Sequence, residues 1–204
     1  MSRLNVVLEP RGWLTHSLTG QHLSREEYLE LVAANPELRM ERSAAGEVTI
    51  MPPAFSRTGN QNAALLRQVA VWADADGNGE VFDSSTGFDL PNGSNRSPDV
   101  SWVLLSRLDR LTLEERGSYL PLCPDFVAEI RSKSDRLAPL QNKMREYLED
   151  GARLCWLVDP IEKKVHIFRP ATAVEVLTEP IRVVGDPELP GLVVDFTRIW
   201  HPRF

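Results

Sequence analysis

A glutamate inside an otherwise apolar run of strand length constrains this chain more than any other feature. Phe126, Val127, Ala128 and Ile130 form a segment that favours burial, and Glu129 sits within it. A buried carboxylate has to be compensated, so a partner must reach it from elsewhere in the fold. Side chains alternate along a strand, which puts Val127, Glu129 and Arg131 on one face. A helix is predicted from about Pro139, proline being tolerated in the first turn, with Leu140, Met144, Tyr147 and Leu148 as its apolar stripe. At about 100° per residue, Lys143 falls on the border of that stripe, beside Leu140 and Tyr147 and away from Asn142, Arg145 and Glu149. A lysine placed there can reach inward.

The rest of the chain reads as one α/β domain over residues 23–204 behind an N-terminal arm of residues 1–22, a division that 204 residues accommodate. Ser24 and Glu27 form a capping box ahead of an amphipathic helix carrying Tyr28, Leu29, Leu31 and Val32, which Asn35-Pro36 ends. Arg39 to Met51 is predicted to be a hairpin turning at Gly46. A helix is expected from Thr58 to Ala73, strands over Glu80–Leu90 and Arg96–Leu105, and a short surface helix over Ser106–Glu115. Leu154–Val158 reads as a buried strand pairing with Val165–Phe168, Leu192–Phe196 as a last strand, and Ile199-Trp200 as an apolar anchor.

Several chemistries recede on spacing alone. His16, His22, His166 and His201 form no zinc pattern, and His166 reads as a strand surface residue. There is no nucleophile elbow, no phosphate-binding glycine loop and no dinucleotide fingerprint. The net charge of −6 argues against a non-specific nucleic-acid coat but leaves room for a local basic groove. Between Arg131 and Arg145 stand five basic residues and one acidic, Asp135, which suits an edge that tracks a phosphate backbone. Cys123 and Cys155 read as reduced core thiols, favouring the cytoplasm, and no run is long enough to span a membrane or serve as a signal peptide. What remains is oxygen chemistry suited to magnesium or manganese.

Two aspartates compete as partners for Glu129. Asp125 lies four residues earlier on the same strand, about 13 Å away at ~3.3 Å per residue, too far to share an ion. Asp99, in Ser97-Pro98-Asp99-Val100, would come within about 5 Å at Cβ if its strand pairs antiparallel with that of Glu129. The predicted metal ligands are therefore Asp99, Glu129 and the Ile130 backbone carbonyl. Glu41, in the hairpin, reads by itself as a solvated strand carboxylate.

The ordered set Ser-Pro-Asp99-Val-Ser-Trp-Val, Pro-Asp-Phe-Val-Ala-Glu129-Ile-Arg-Ser, Lys143-Met-x-x-Tyr147-Leu and Gly-Ala-Arg-Leu-Cys-Trp-Leu-Val-Asp-Pro resembles the Uma-type restriction endonucleases of the PD-(D/E)XK nuclease superfamily. The resemblance runs from about Ser24 to the C-terminus. It implies a restriction-endonuclease-like mixed β-sheet flanked by helices, a bound Mg2+ or Mn2+, and phosphodiester hydrolysis. The superfamily's lysine two residues after the glutamate is here Arg131, which cannot act as a neutral base. The resemblance therefore points to Lys143 as a migrated lysine, with Lys133 as a further candidate on the same strand parity and Glu41 in a supporting acidic role.

The reading that follows is metal-assisted hydrolysis of DNA, with Asp99 and Glu129 holding the ion, Lys143 orienting water or stabilising charge, and Arg131 contacting a phosphate. The plain alternative has Lys143 snorkelling from a helix edge and Arg131 neutralising Glu129 as a buried ion pair. Two further readings keep the fold without the catalysis: a nucleic-acid-binding module and a structural homodimer.

Overall fold

The structure, a computed structural model, describes residues 22–204. The arm expected over residues 1–22, with His16, lies outside the described residues except for His22. In chain order, α1 (Arg25–Ala34) precedes β1 (Arg39–Arg42) and β2 (Val48–Met51), and the long α2 (Ser56–Asp76) leads into β3 (Gly79–Asp83). Two short strands, β4 (Phe88–Asp89) and β5 (Asn95–Arg96), come before β6 (Val100–Leu104), and two short helical turns, α3 (Leu105–Leu108) and α4 (Leu113–Arg116), follow it. Then come β7 (Phe126–Ile130), α5 (Leu137–Glu149), β8 (Leu154–Asp159), β9 (Lys164–Phe168), β10 (Glu175–Thr178), β11 (Arg182–Val184), β12 (Val193–Asp195) and α6 (Thr197–Trp200).

The central sheet has the order β10-β9-β8-β7-β6-β3. Strands β7 and β8 run parallel, joined through α5, and the other neighbouring pairs of this sheet are antiparallel, giving the mixed sheet that the resemblance implies. Alternation along β7 sorts its side chains between two cores. Phe126, Ala128 and Ile130 pack with Leu65, Val69 and Ala73 of α2 and with Ile199 and Trp200 of α6. Val127 packs on the opposite face with Met144 and Tyr147 of α5. Glu129 shares the parity of Val127 and so lies beneath α5, 7 % exposed.

The strands expected over 80–90 and 96–105 are each broken. Asp83 accepts from the Ser85 backbone N–H and hydroxyl and turns the chain out of β3, while Pro98, which has no N–H, separates β5 from β6. The released pieces β4 and β5 join the hairpin in a second sheet of order β2-β1-β5-β4, with Arg42 opposite Asn95. That rearrangement carries Glu41 and Arg96 to the end of the main sheet. At the hairpin turn, Gly46 has φ +90, and a Cβ there would lie 2.8 Å from the Leu23 carbonyl oxygen. The predicted Ser24–Glu27 capping box is formed. The single helix expected over 106–115 resolves into α3 and α4, and α2 extends beyond both predicted ends to close on Gly77 in the left-handed region. The last predicted strand is β12, paired with β11. Cys123 and Cys155 are free and buried, and no described helix is long and apolar enough to cross a membrane.

Trp156 is fully buried between Phe126, at 5.1 Å with edge-on rings, and Phe196, at 6.4 Å. Its indole N–H is buried without a partner among the described residues. Denaturant unfolding should therefore show Trp156→Ala destabilised by about 3–5 kcal/mol. Trp156→Phe, which also removes the orphaned donor, should cost less than about 1.5 kcal/mol.

Candidate active site

The register Val100↔Ala128 between β6 and β7 extends to bring Asp99 opposite Glu129. Arg131 donates its backbone N–H to the Val158 carbonyl on the β8 side. Ile130 therefore directs its N–H and C=O toward β6, and its N–H meets Asp99 Oδ2 at 2.8 Å. Its carbonyl lies along the same edge of β7. Asp99 Oδ1 accepts from Asn62 Nδ2 of α2 at 3.0 Å. Each carboxylate oxygen has two lone pairs, so these contacts aim Asp99 and leave it able to accept a further ligand.

Lys143 reaches inward from α5. Its Nζ lies 2.7 Å from Glu129 Oε1 and 2.8 Å from Glu41 Oε1, bridging the two sheets. Met144 and Tyr147, both fully buried, hold that face of α5 against the sheet, and the Tyr147 hydroxyl donates to Glu129 Oε1 at 3.3 Å. Glu41 corrects the solvated carboxylate of the sequence reading. It is 5 % exposed and also accepts from the Ser97 backbone N–H at 2.8 Å and from Arg96 Nη1 at 3.4 Å. Arg96 in turn pairs with Glu146 at 2.6 Å, one turn after Lys143 on α5. The site is thus a chain of charges, Glu129–Lys143–Glu41–Arg96–Glu146, with Asp99 beside its first member.

Burial is the largest influence on Glu129, Asp99, Glu41 and Lys143. It pushes the Glu129 carboxyl up to about 7, since Lys143 relieves it only partly and Asp99 and Glu41 add repulsion. Asp99 is likewise raised by burial, against the hydrogen bond from Ile130. Burial would also raise Glu41, but Lys143, Arg96 and their hydrogen bonds outweigh it and hold Glu41 below the usual range. For Lys143 burial acts downward, and the charges of Glu129 and Glu41 overcome it, so the ammonium stays protonated. Four carboxylates, Glu129, Asp99, Glu41 and Glu146, face Lys143 and Arg96, with the Arg39 charge also felt at Asp99, so carboxylates outnumber cations at this end of the sheet. Among the described residues no three His, Cys, Asp or Glu side chains gather into a ready cage. A divalent ion here would be held by two carboxylates, a backbone carbonyl and water. That all-oxygen set with surplus negative charge fits magnesium or manganese.

Other residues lie elsewhere. Arg131 does not neutralise Glu129. It pairs with Asp159 Oδ2 at 2.7 Å and donates to the Asp135 carbonyl, because β8 brings Asp159, which is fully buried, alongside the end of β7. Lys133 is exposed in the loop after β7. Asp125 sits at the far end of that strand, accepting from the Leu104 N–H and pairing with Arg107. His166 is not a surface residue. With β10 paired outside β9 it is 6 % exposed, and burial lowers its pKa. The sequence reading missed Arg96, Glu146 and Asn62 as parts of the site. Glu146 could have been found, since a position three residues from Lys143 shares its helix face.

Two outcomes follow from these charges. Glu129 binds its proton more tightly in the folded chain than in the unfolded one, so its contribution to stability is full below about pH 4.5 and is lost as pH rises through about 7. Glu129→Gln removes that loss. In thermal unfolding without metal, the midpoint of the variant should gain on that of the parent chain between pH 5 and pH 8, and a difference independent of pH would refute the assignment. Arg131→Ala leaves Asp159 buried with only the Ile161 and Glu162 N–H groups. It should destabilise the fold by about 2–3 kcal/mol in denaturant titration, below the full range for a broken buried pair because Arg131 keeps 19 % exposure.

The model of the Uma2 family, described as "Putative restriction endonuclease", matches residues 25–197. No curated protein matches the chain. A crystal structure of a putative nuclease belonging to DUF820, from Anabaena variabilis ATCC 29413, superposes with a TM-score of 0.73 at 21% sequence identity, covering 87% of this chain and 97% of that one. At that identity the superposition speaks for the fold, while the family match spans most of the described residues. This chain belongs to the Uma2 family of restriction-endonuclease-like proteins.

Proposed function

We propose that this chain is a Mg2+- or Mn2+-dependent endonuclease that hydrolyses phosphodiester bonds of DNA at the Asp99–Glu129 end of the sheet. The observation that carries the reading is the Lys143 ammonium held 2.7 Å from Glu129, in a pocket whose carboxylates outnumber its cations. Such a pocket suits a cation, and the lysine suits a phosphate brought in by that cation. The description of the family supports the same reaction class.

A bound divalent ion would supply Lewis-acid polarisation of the phosphoryl group and a more acidic attacking water. Asp99, Glu129 and the Ile130 carbonyl would hold it. Lys143 stays protonated, so its part is that of a donor to charge developing on the phosphoryl group or the attacking oxygen. Glu41 and Arg96 are positioning residues. Glu41 fixes the ammonium from the side opposite Glu129, and Arg96 ties Glu41 to Glu146 on the helix that carries Lys143. Arg131, through Asp159 and the Asp135 carbonyl, steadies the loop after β7. The second reading, a binding module without catalysis, draws on the same contacts, because Glu129 and Glu41 already satisfy Lys143.

A plasmid and oligonucleotide cleavage assay separates the two. Cleavage should require Mg2+ or Mn2+ and vanish with a chelator. Lys143→Ala should lower it by about 10²–10³-fold, the usual loss for one charge-stabilising donor, and Lys143→Arg should not restore it. Full activity in Lys143→Ala, or cleavage indifferent to divalent ions, would overturn the reading.

A further inference from the structure

Arg39 stands at the edge of the site without an ion partner. It opens β1, two residues before Glu41, and alternation along the strand turns both side chains to the same side of the hairpin sheet. Its Nη2 donates to the carbonyl of Ser84, the residue after β3, at 2.5 Å. The register Asp83↔Val100 between β3 and β6, continued by one residue, puts Ser84 across from Asp99. The register Val100↔Ala128, continued in the same way, puts Glu129 across from Asp99 on its other side. Asp99 therefore lies between two strand ends, one holding Arg39 and the other meeting Lys143. Those ends are two strand spacings apart, about 10 Å, so the two cations approach Asp99 from opposite sides.

The cations of the site differ in what remains free on them. Lys143 is taken up by Glu129 and Glu41, and Arg96 by Glu41 and Glu146. Arg39 has no carboxylate within ion-pair distance among the described residues, and its Nε–H is buried without a partner. Its charge is felt at Asp99, which is committed to the Ile130 N–H and Asn62. It is felt also at Asp83, which is committed to the Ser85 N–H and hydroxyl. The Ser84 bond uses one of the five N–H donors of the guanidinium, and a buried donor left open on a charged group is costly. A phosphate oxygen matches what is left, because the planar fork suits it and it brings the opposite charge.

We propose that Arg39 contacts a non-bridging oxygen of a DNA phosphate on the Asp99 side of the site, facing Lys143 across the carboxylates. This rests on the nuclease reading above and adds a substrate-binding residue to it. The competing role is structural, with Arg39 only bracing the turn at Ser84 and, through it, Asp99.

The test compares the parent chain with Arg39→Gln and Arg39→Lys. Affinity for a labelled duplex oligonucleotide is measured by fluorescence anisotropy without metal across a salt series, Mg2+ affinity by calorimetry, and the Arg39 Nε–H resonance by NMR as duplex is added. Arg39→Gln should weaken duplex binding about tenfold and lower the slope of log affinity against log salt by about one. Arg39→Lys, which keeps the charge and loses the fork, should restore the slope but not the full affinity. Mg2+ should bind Arg39→Gln at least as tightly as the parent, since a like charge beside Asp99 has gone. The Arg39 Nε–H resonance of the parent should shift as duplex binds. Parent-like affinity and slope in Arg39→Gln, or an Nε–H resonance that saturating duplex leaves in place, would overturn the proposal. So would Mg2+ affinity that falls in step with duplex affinity, which is the mark of a brace for Asp99. Duplex binding that depends on Arg39 in a chain that does not cleave with Mg2+ would support the contact and sink the nuclease reading. Metal-dependent cleavage by the parent with unchanged duplex affinity in Arg39→Gln would do the reverse.

Discussion

The structure depends on one ammonium group held between two carboxylates of different sheets. Lys143 joins Glu129 on the central sheet to Glu41 on the hairpin sheet, and without it three carboxylates, Glu129, Asp99 and Glu41, would meet at the end of β7 with Arg96 paired to Glu41 alone. Removing one partner from a buried ion pair is costly because the remaining charge has lost its water. The packing of α5 through Met144 and Tyr147, the path of the chain through β5 and the burial of Glu41 are mutually consistent because each serves that contact. The arrangement is still short of positive charge. That shortage separates the site from an ordinary buried salt bridge, such as the one Arg131 makes with Asp159 at the neighbouring strand end.

The two sheets divide the work. The central sheet, with parallel β7 and β8 at its middle, supplies the rigid edge from which Asp99, Glu129 and the Ile130 carbonyl project. The hairpin sheet supplies Glu41 and, through β5, Arg96, whose pairing with Glu146 fastens that sheet to α5. Residues that never meet substrate in this account therefore control where the lysine sits. Asn62 does the same for Asp99 from α2, the helix on the opposite face of the sheet.

Much of this was legible in the sequence wherever one element's own pattern decides the outcome. An apolar run interrupted by Glu129 and the placement of Lys143 on the border of a helical stripe foretold which faces would meet. The proline and glycine punctuation located most elements. What could not be read were the contacts fixed by a second sheet. The Asp83–Ser85 turn and Pro98 mark where the strands break, but nothing local marks that the pieces around Phe88 and Asn95 join the hairpin sheet, so Glu41 looked solvated and Arg96 looked like a strand end. The alternative in which Arg131 neutralises Glu129 fails because strand parity gives a side chain's face but not which neighbour on that face claims it, and Asp159 lies one strand away. His166 looked exposed because the outer strand β10 carries only a weak pattern of its own.

The claim that most of the account rests on is that the carboxylates at this sheet end carry more negative charge than Lys143 and Arg96 can balance, and that a divalent cation restores the balance. Carbon-13 NMR of the Glu129 side-chain carboxyl, followed across pH with and without Mg2+, measures this directly. The account predicts titration near pH 7 in the metal-free chain and a fall of about two units or more when Mg2+ is present, as an adjacent opposite charge favours the ionised form. A carboxyl that titrates in the ordinary glutamate range and ignores Mg2+ would contradict it.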